Sequence, residues 1–190
     1  SGEVTGTVSE LRGRNVDVSW RDHTTLNCDF DFSGLPEIEN SFIFFGINSL
    51  RSNSEELRQI TIPGRGKLIL PEILDKLATF TFTGSFTGFT TDFVAYGKLT
   101  TSAGSIKTDI SMRPEKPNRF RVNGLVTGTD VDLGYLTDNP GLLGNLSMKA
   151  NIDGVASSLK QFSGSLSGMI DSLELNGYKY RDIALDGIFT

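Results

Sequence analysis

The sequence predicts an all-β chain: an elongated, strongly curved antiparallel sheet that leaves a U-shaped hydrophobic groove, with one or two short helices. Three observations carry this. Apolar and polar residues alternate with period two through nearly the whole chain. Glycine is abundant, 21 of 190 residues, and recurs on the apolar side of that alternation. The apolar content is only 37%, a thin supply for one thick central core at this length.

The elements follow in order. Val4, Gly6 and Val8 share one parity, as do Val16, Val18 and Trp20. In LNCDFDFSG, Leu26, Cys28, Phe30, Phe32 and Gly34 oppose Asn27, Asp29, Asp31 and Ser33. SFIFFGIN is apolar on both parities and predicts a strand buried on both faces. In TFTFTGSFTGFT, residues 79–90, Phe80, Phe82, Gly84, Phe86 and Gly88 stand against a row of hydroxyls. Phe93, Ala95, Gly97 and Leu99 continue the habit, then Ile106, Ile110 and Met112. The second half gives Phe120, Val122, Gly124 and Val126, then Leu146, Met148, Ala150 and Ile152, then Leu166, Gly168 and Ile170. Leu173, Leu175, Ile183, Leu185, Gly187 and Phe189 close the chain, for about a dozen strands of ordinary length.

Helical signals are few. LPEILDKLA places Pro71 in a first turn, with Ile73, Leu74 and Leu77 on one face. SNSEELRQ sets Ser52 three residues before Glu55, the spacing of a capping box. VDLGYLTDNPG holds one helical turn ended by Asn139, Pro140 and Gly141. IPGRGK at 62–67 and RPEKPN at 113–118 read as loops. Residues 1–190 read as a single unit, a segment of a repeat array, with weak repeats at about 70–112 and 119–190 that share an order of strands and glycines. The start, SGEVTG, lacks a methionine and the end lies inside a strand, so a segment of something longer is expected.

Several function classes are disfavoured. The formal net charge is −5 and no basic run exceeds two residues, which argues against a nucleic-acid partner. No apolar stretch approaches the roughly 20 residues of a membrane helix. Cys28 is the single cysteine, so no internal disulfide forms, and on the Phe30 face it reads as a small core residue. His23, the single histidine, lies among polar loop residues, without the partners of a triad or a zinc site. Asp29 with Asp31, and Asp130 with Asp132, are spaced like paired carboxylates but read more simply as the wet side of alternating strands. PGRGK lacks the spacer and the Lys-Ser/Thr of a phosphate loop and reads as a turn. Asn145-Leu146-Ser147 matches a glycosylation sequon inside an expected strand. No enzyme, catalytic residue, metal site or cofactor is expected.

The apolar parity therefore needs another explanation. In a β-sandwich two such faces would cover each other, and that reading stays open. The glycines at 84, 88, 97, 124, 168 and 187 weigh against it, because a glycine facing a packed core leaves a hole worth about 1 kcal/mol or more. A bent sheet instead uses glycine where side chains would crowd, and leaves room for something that is not protein.

LPEILDKLATFTFTGSFTGFTTDFVAYGKLTTSAGSIKTDI, GLLGNLSMKANIDG and FSGSLSGMIDSLELNGYKYRDIALDG resemble the repeat region of the TamB family, the inner-membrane subunits of the translocation and assembly module. The last contains an L-x-G-Y-x-Y-x-x-I-x-L-x-G phrase at 175–187. The resemblance covers most of 70–190 and is looser over 1–69. AsmA-like proteins and bridge-like lipid-transfer proteins share the architecture. The resemblance implies a β-taco groove in a parent protein anchored in the inner membrane of a Gram-negative bacterium and spanning the periplasm. It implies passage of phospholipid or other acyl-chain ligand toward the outer membrane, supporting outer-membrane biogenesis, and protein assembly with an outer-membrane barrel partner. The residues expected to line the groove are Phe30, Phe32, Phe80, Phe82, Phe86, Phe93, Leu99, Ile106, Ile110, Phe120, Val122, Val126, Leu146, Met148, Ile152, Leu166, Ile170 and Leu185. Self-association through a bare groove or sheet edge is a further expectation. The alternatives are a scaffold for β-barrel protein assembly or secretion, and a sandwich or solenoid surface-binding module built on Trp20, Tyr96, Tyr135, Tyr178 and Tyr180.

Overall fold

The computed structural model describes residues 1–62, 66–67, 75–116, 119–158 and 161–189. Eleven strands form one curved, open antiparallel sheet. They are β1 (Glu3–Gly6), β2 (Glu10–Trp20), β3 (Thr24–Ser33), β4 (Phe42–Ser52), β7 (Phe80–Phe89), β8 (Asp92–Thr101), β9 (Gly104–Lys116), β10 (Arg119–Asp132), β11 (Leu143–Ser158), β12 (Gln161–Leu175) and β13 (Tyr178–Phe189). β5 (Thr61–Ile62) and β6 (Gly66–Lys67) form a separate ribbon, so part of the expected IPGRGK loop is paired, while 63–65 lie outside the described residues. Spatial order follows chain order throughout, with every neighbour antiparallel. At the usual strand spacing the sheet is on the order of 50 Å long.

The turns explain the meander. Asn176 and Gly177 join β12 to β13 with φ of 50° and 77°, as a two-residue hairpin turn with two left-handed positions requires. Bulges shift the phase of the alternation. Asn15 and Asp130 occupy two of them at φ 48° and 49°, a region that Asn and Asp tolerate. The next strand supplies a partner to each freed amide: Asn15 N–H donates to Asp29 Oδ1 (2.8 Å) and Asp130 N–H to Ser147 Oγ (3.0 Å). On β12 the register with β11 shifts beside Asp171, between Ser147/Ser172 and Met148/Ile170, and near it on β13 Asp182 lies at φ 54°.

Four expectations are corrected. Residues 113–116 of RPEKPN belong to β9 and 117–118 lie outside the described residues. Pro114 is tolerated because pairing with β8 ends at Met112, so its missing N–H faces no neighbour there. SFIFFGIN is not buried on both faces: Phe42 is 40% exposed. The cap of α1 (Ser54–Leu57) is Asn53, which accepts from Glu56 N–H at 2.8 Å, whereas Ser52 ends β4 and is buried. Asp132 caps α2 (Leu133–Thr137) by accepting from Tyr135 N–H and is not simply a wet strand residue. In LPEILDKLA, Leu77 is buried, while Pro71, Ile73 and Leu74 lie outside the described residues.

The solvent-accessible surface is 12014 Å². A compact chain of 20.7 kDa would expose about 8,900 Å². Among the described residues the buried apolar ones are Cys28, Leu57, Leu77, Phe80, Ala103, Val131 and Ala150. Five of these gather at one end of the strands, where α1, residues 75–78 and α2 pack. Most of the apolar side chains are half-buried on an open face.

Candidate functional site

Strand register converts the alternation into rows that cross the sheet. One runs Val4, Gly13, Phe30, Phe45, Phe86, Ala95, Ile110, Gly124, Ile152, Leu166, Gly187. The adjacent row toward the hairpin tips runs Gly6, Leu11, Phe32, Ile43, Gly88, Phe93, Met112, Val122, Gly154, Gly164, Phe189. On the other side lies Val18, Leu26, Leu50, Phe82, Leu99, Ile106, Gly128, Met148, Ile170, Ile183. Between these lies a row of small residues: Val16, Cys28, Ile47, Gly84, Gly97, Thr108, Val126, Ala150, Gly168, Leu185. The four rows make one apolar floor about 20 Å wide along the strands.

All eighteen residues expected to line a groove fall on this face. Phe120 lies beyond the four rows, opposite Pro114 and Ala156, and Leu146 beyond them at the other end, opposite Val131 and Leu173. Phe80 is different in one respect: opposite Ser52 and Thr101, it is buried in the closed end and does not form open floor. Sequence alternation missed Leu11, Val131 and the β4 contribution of Ile43, Phe45, Ile47 and Leu50. The two-sided apolar run in β4 hid which side was the floor.

The small row is needed by the rings beside it. A Cβ on Gly97 would stand 2.9 Å from the Phe82 ring, and in the neighbouring row a Cβ on Gly13 would stand 2.4 Å from the Phe30 ring. Gly84 is closed in by the Tyr96 carbonyl and the same Phe82 ring, and a Cβ on Gly168 would stand 2.1 Å from the Lys149 carbonyl. On the other side of the Phe30 and Phe86 row the rings pack on one another: Phe30 stacks on Phe32 with centroids 5.0 Å apart, and Phe86 meets Phe93 at 4.8 Å.

One rim of the floor is capped. Lys76 Nζ pairs with Asp138 (2.6 Å) and donates to the Leu136 carbonyl (2.8 Å), and Tyr135 Oη donates to the Lys76 carbonyl. This strap covers a small cavity of about 50 Å³ lined by Leu77, Leu99, Ala103, Ile106, Val131 and Leu136. Beside it, Glu56 fastens α1 to the β2–β3 turn. Its carboxylate accepts from the Thr24 hydroxyl (2.5 Å) and from the N–H groups of Asp22 and His23 (3.3 and 3.2 Å). With that proton committed, Ser52 Oγ donates to Thr24 Oγ1. The Thr24 bond first, then the two amides, hold the Glu56 carboxyl below its ordinary value.

Among the described residues the four rows carry one titratable side chain, Cys28. Burial, then Asp29 and Asp17, push the Cys28 thiol up, away from reactivity. Asp29 is held low by the Asn15 amide and by Asn48, and Asp31 pairs with Arg12 at 2.8 Å. Among the described residues no group of three or more His, Cys, Asp or Glu is placed to hold a metal ion, and no helix is long and apolar enough to cross a membrane. Of the expected platform residues, Tyr135 belongs to the strap and Tyr96 lies under Lys107 on the opposite face. No protein-family model, curated protein or solved structure matches the chain.

Proposed function

We propose that this chain is a segment of a lipid conduit: a trough whose apolar floor holds phospholipid acyl chains and lets them pass along the sheet. One observation carries the reading. Four apolar rows run across ten or eleven consecutive strands, and among the described residues no second sheet covers them. Burial of each acyl CH₂ is worth roughly 0.8 kcal/mol. A floor of similar composition from strand to strand offers nearly equal energy at each step, so a chain slides without a deep trap and without covalent chemistry. Within this reading the resemblance to the TamB family implies a parent protein in the periplasm, anchored to the inner membrane and acting with an outer-membrane barrel protein.

The test is organic extraction and mass spectrometry of the purified chain. Acyl lipid is expected with the wild type and lost in Phe82→Arg, which sets a charge on the floor, with the sheet signal in circular dichroism retained. Val94→Arg, on the opposite face, is the control and keeps the lipid. Wild-type protein free of acyl lipid after exposure to vesicles would overturn the reading.

A second reading has its own observation. β13 is a twelve-residue strand that, among the described residues, pairs on one side only, and Ile188 on it is 85% exposed. Such an edge can add a strand from an unfolded barrel protein. Proline substitutions along β13 would impair that role and spare lipid retention.

A further inference from the structure

We propose that the trough has a fixed seat for one straight acyl tail, with the terminal methyl in the cavity under the Lys76 strap and the middle of the tail in a hollow of the floor beside it. This rests on the conduit reading and adds the orientation and length of the tail that is held.

The floor is not level. Gly84 and Gly97 stand directly opposite each other on β7 and β8, and Thr108 of β9 adjoins Gly97. With so little side chain there, the floor sinks into a hollow of about 190 Å³ walled by Phe45, Phe82 and Phe86. The strap cavity begins one step further along the same strands. Leu99 lies two residues from Gly97 on the same face, about 7 Å away, and with its partner Ile106 it lines the cavity. Ile106 also belongs to the open floor and is 37% exposed, so the cavity opens onto the floor.

The cavity suits an apolar end. Leu77, Ala103 and Val131 in its wall are buried. Among the described residues that line it, Thr101 has the one polar side chain, and that hydroxyl is committed. It donates to the Gly104 carbonyl and accepts from the Ala103 N–H, both at 3.0 Å. A water or a headgroup oxygen would find no free side-chain partner there. A methyl end needs none, and it fills a void that costs stability when empty. The dimensions fit one tail. An apolar cavity of about 150 Å³ holds benzene, so on that scale about 50 Å³ takes about two carbons and the hollow about eight. From Ala95 to Thr101 the lane is about 20 Å long, and an acyl tail in one leaflet spans about 15 Å. A tail seated methyl-first therefore lies along the strands, with its polar end directed away from the capped rim. Each buried carbon is worth about fourfold in affinity, so the cavity adds about tenfold. That makes a resting place within the conduit and not a deep trap.

The probes are lysophosphatidylcholines, which share a headgroup and carry one tail, varied in steps of two carbons. Each is incubated with the 190-residue chain, and retained lipid is measured by mass spectrometry. The wild type is expected to show an optimum length. Ala103→Leu, which fills the cavity, is expected to move that optimum about two carbons shorter and to weaken retention of the original optimum about tenfold. Leu136→Ala, which widens the cavity, is expected to move it longer. Thr100→Leu, on the opposite face of β8, is expected to leave it in place. A probe with carbon-13 at the terminal methyl is expected to give nuclear Overhauser contacts with Leu77, Val131 and Leu136 in the wild type. This measurement and Leu136→Ala decide the matter should Ala103→Leu not fold. No optimum in the wild type, an optimum that the cavity variants leave in place, an equal shift in Thr100→Leu, or terminal-methyl contacts confined to the rows of Phe93 and Met112 each overturns the proposal while sparing the conduit reading. Failure of the wild type to retain a tail of any length would instead remove the conduit reading beneath it.

Discussion

At the scale of single residues, the glycines on the apolar parity divide by what surrounds them. Gly97 faces the Phe82 ring, and Gly187 has nothing within 4 Å of a would-be Cβ. Gly97→Val is expected to destabilise by about 1–3 kcal/mol through overpacking, lowering the midpoint of thermal unfolding by about 2–12 °C. Gly187→Ala is expected to stay within about 0.5 kcal/mol. Differential scanning calorimetry of the two variants checks the contrast. Cys28, 3% exposed with its thiol pushed up by burial, is expected to resist iodoacetamide in the native protein at neutral pH and to react once unfolded. The role of glycine as space for neighbouring rings was legible from its parity, because alternation alone puts it beside phenylalanine. Which glycines are tight was not legible, since that depends on register and not on spacing.

At the scale of elements, the capped rim is held by two fastenings of different strength. Leu77 is 4% exposed, so Leu77→Ala is expected to cost roughly 2–5 kcal/mol by chemical denaturation. Lys76→Ala, which loses a pair to the open Asp138, is expected to cost about 1 kcal/mol or less. Glu56 makes the fastening of α1 depend on pH. Its carboxyl is held below the ordinary value of 4.5, so its contribution is complete above that value and is lost as pH falls through the lower folded one. Glu56→Gln is therefore expected to unfold at a lower temperature than the wild type at pH 7, with the gap closing as pH drops below about 4.5; thermal melts at several pH values read this. The strands themselves were legible from period two, but their phase was not. The bulge after Gly13 moves the floor from Leu11 and Gly13 to Val16, Val18 and Trp20, and the one after Gly128 puts Val131 on the floor. In the sequence these look like breaks between strands, whereas in the sheet they hold apolar residues on one side. Asp29 and Asp132 escaped the sequence reading for the same reason, since a bulge amide and a helix end that need a carboxylate appear only once the turns are fixed.

At the scale of the whole molecule, the curved all-β sheet agrees with what composition implied: too little apolar material for a centred core was spent on a surface. A compact chain of this length would have a radius of gyration of about 16 Å, and small-angle scattering of this one is expected to give a larger value with an elongated distance distribution. The closed end was the part of the site that sequence could not place, because Leu57, Leu77 and Val131 come from three separate stretches. In the main sheet each described strand pairs with its neighbours in chain order. Reach is consequently a matter of counting. Each extra pair of strands would add about 10 Å while leaving every existing hydrogen-bond partner in place. Evolution or a protein engineer can tune how far such a gutter extends by duplicating or deleting whole hairpins, with no redesign of the remainder.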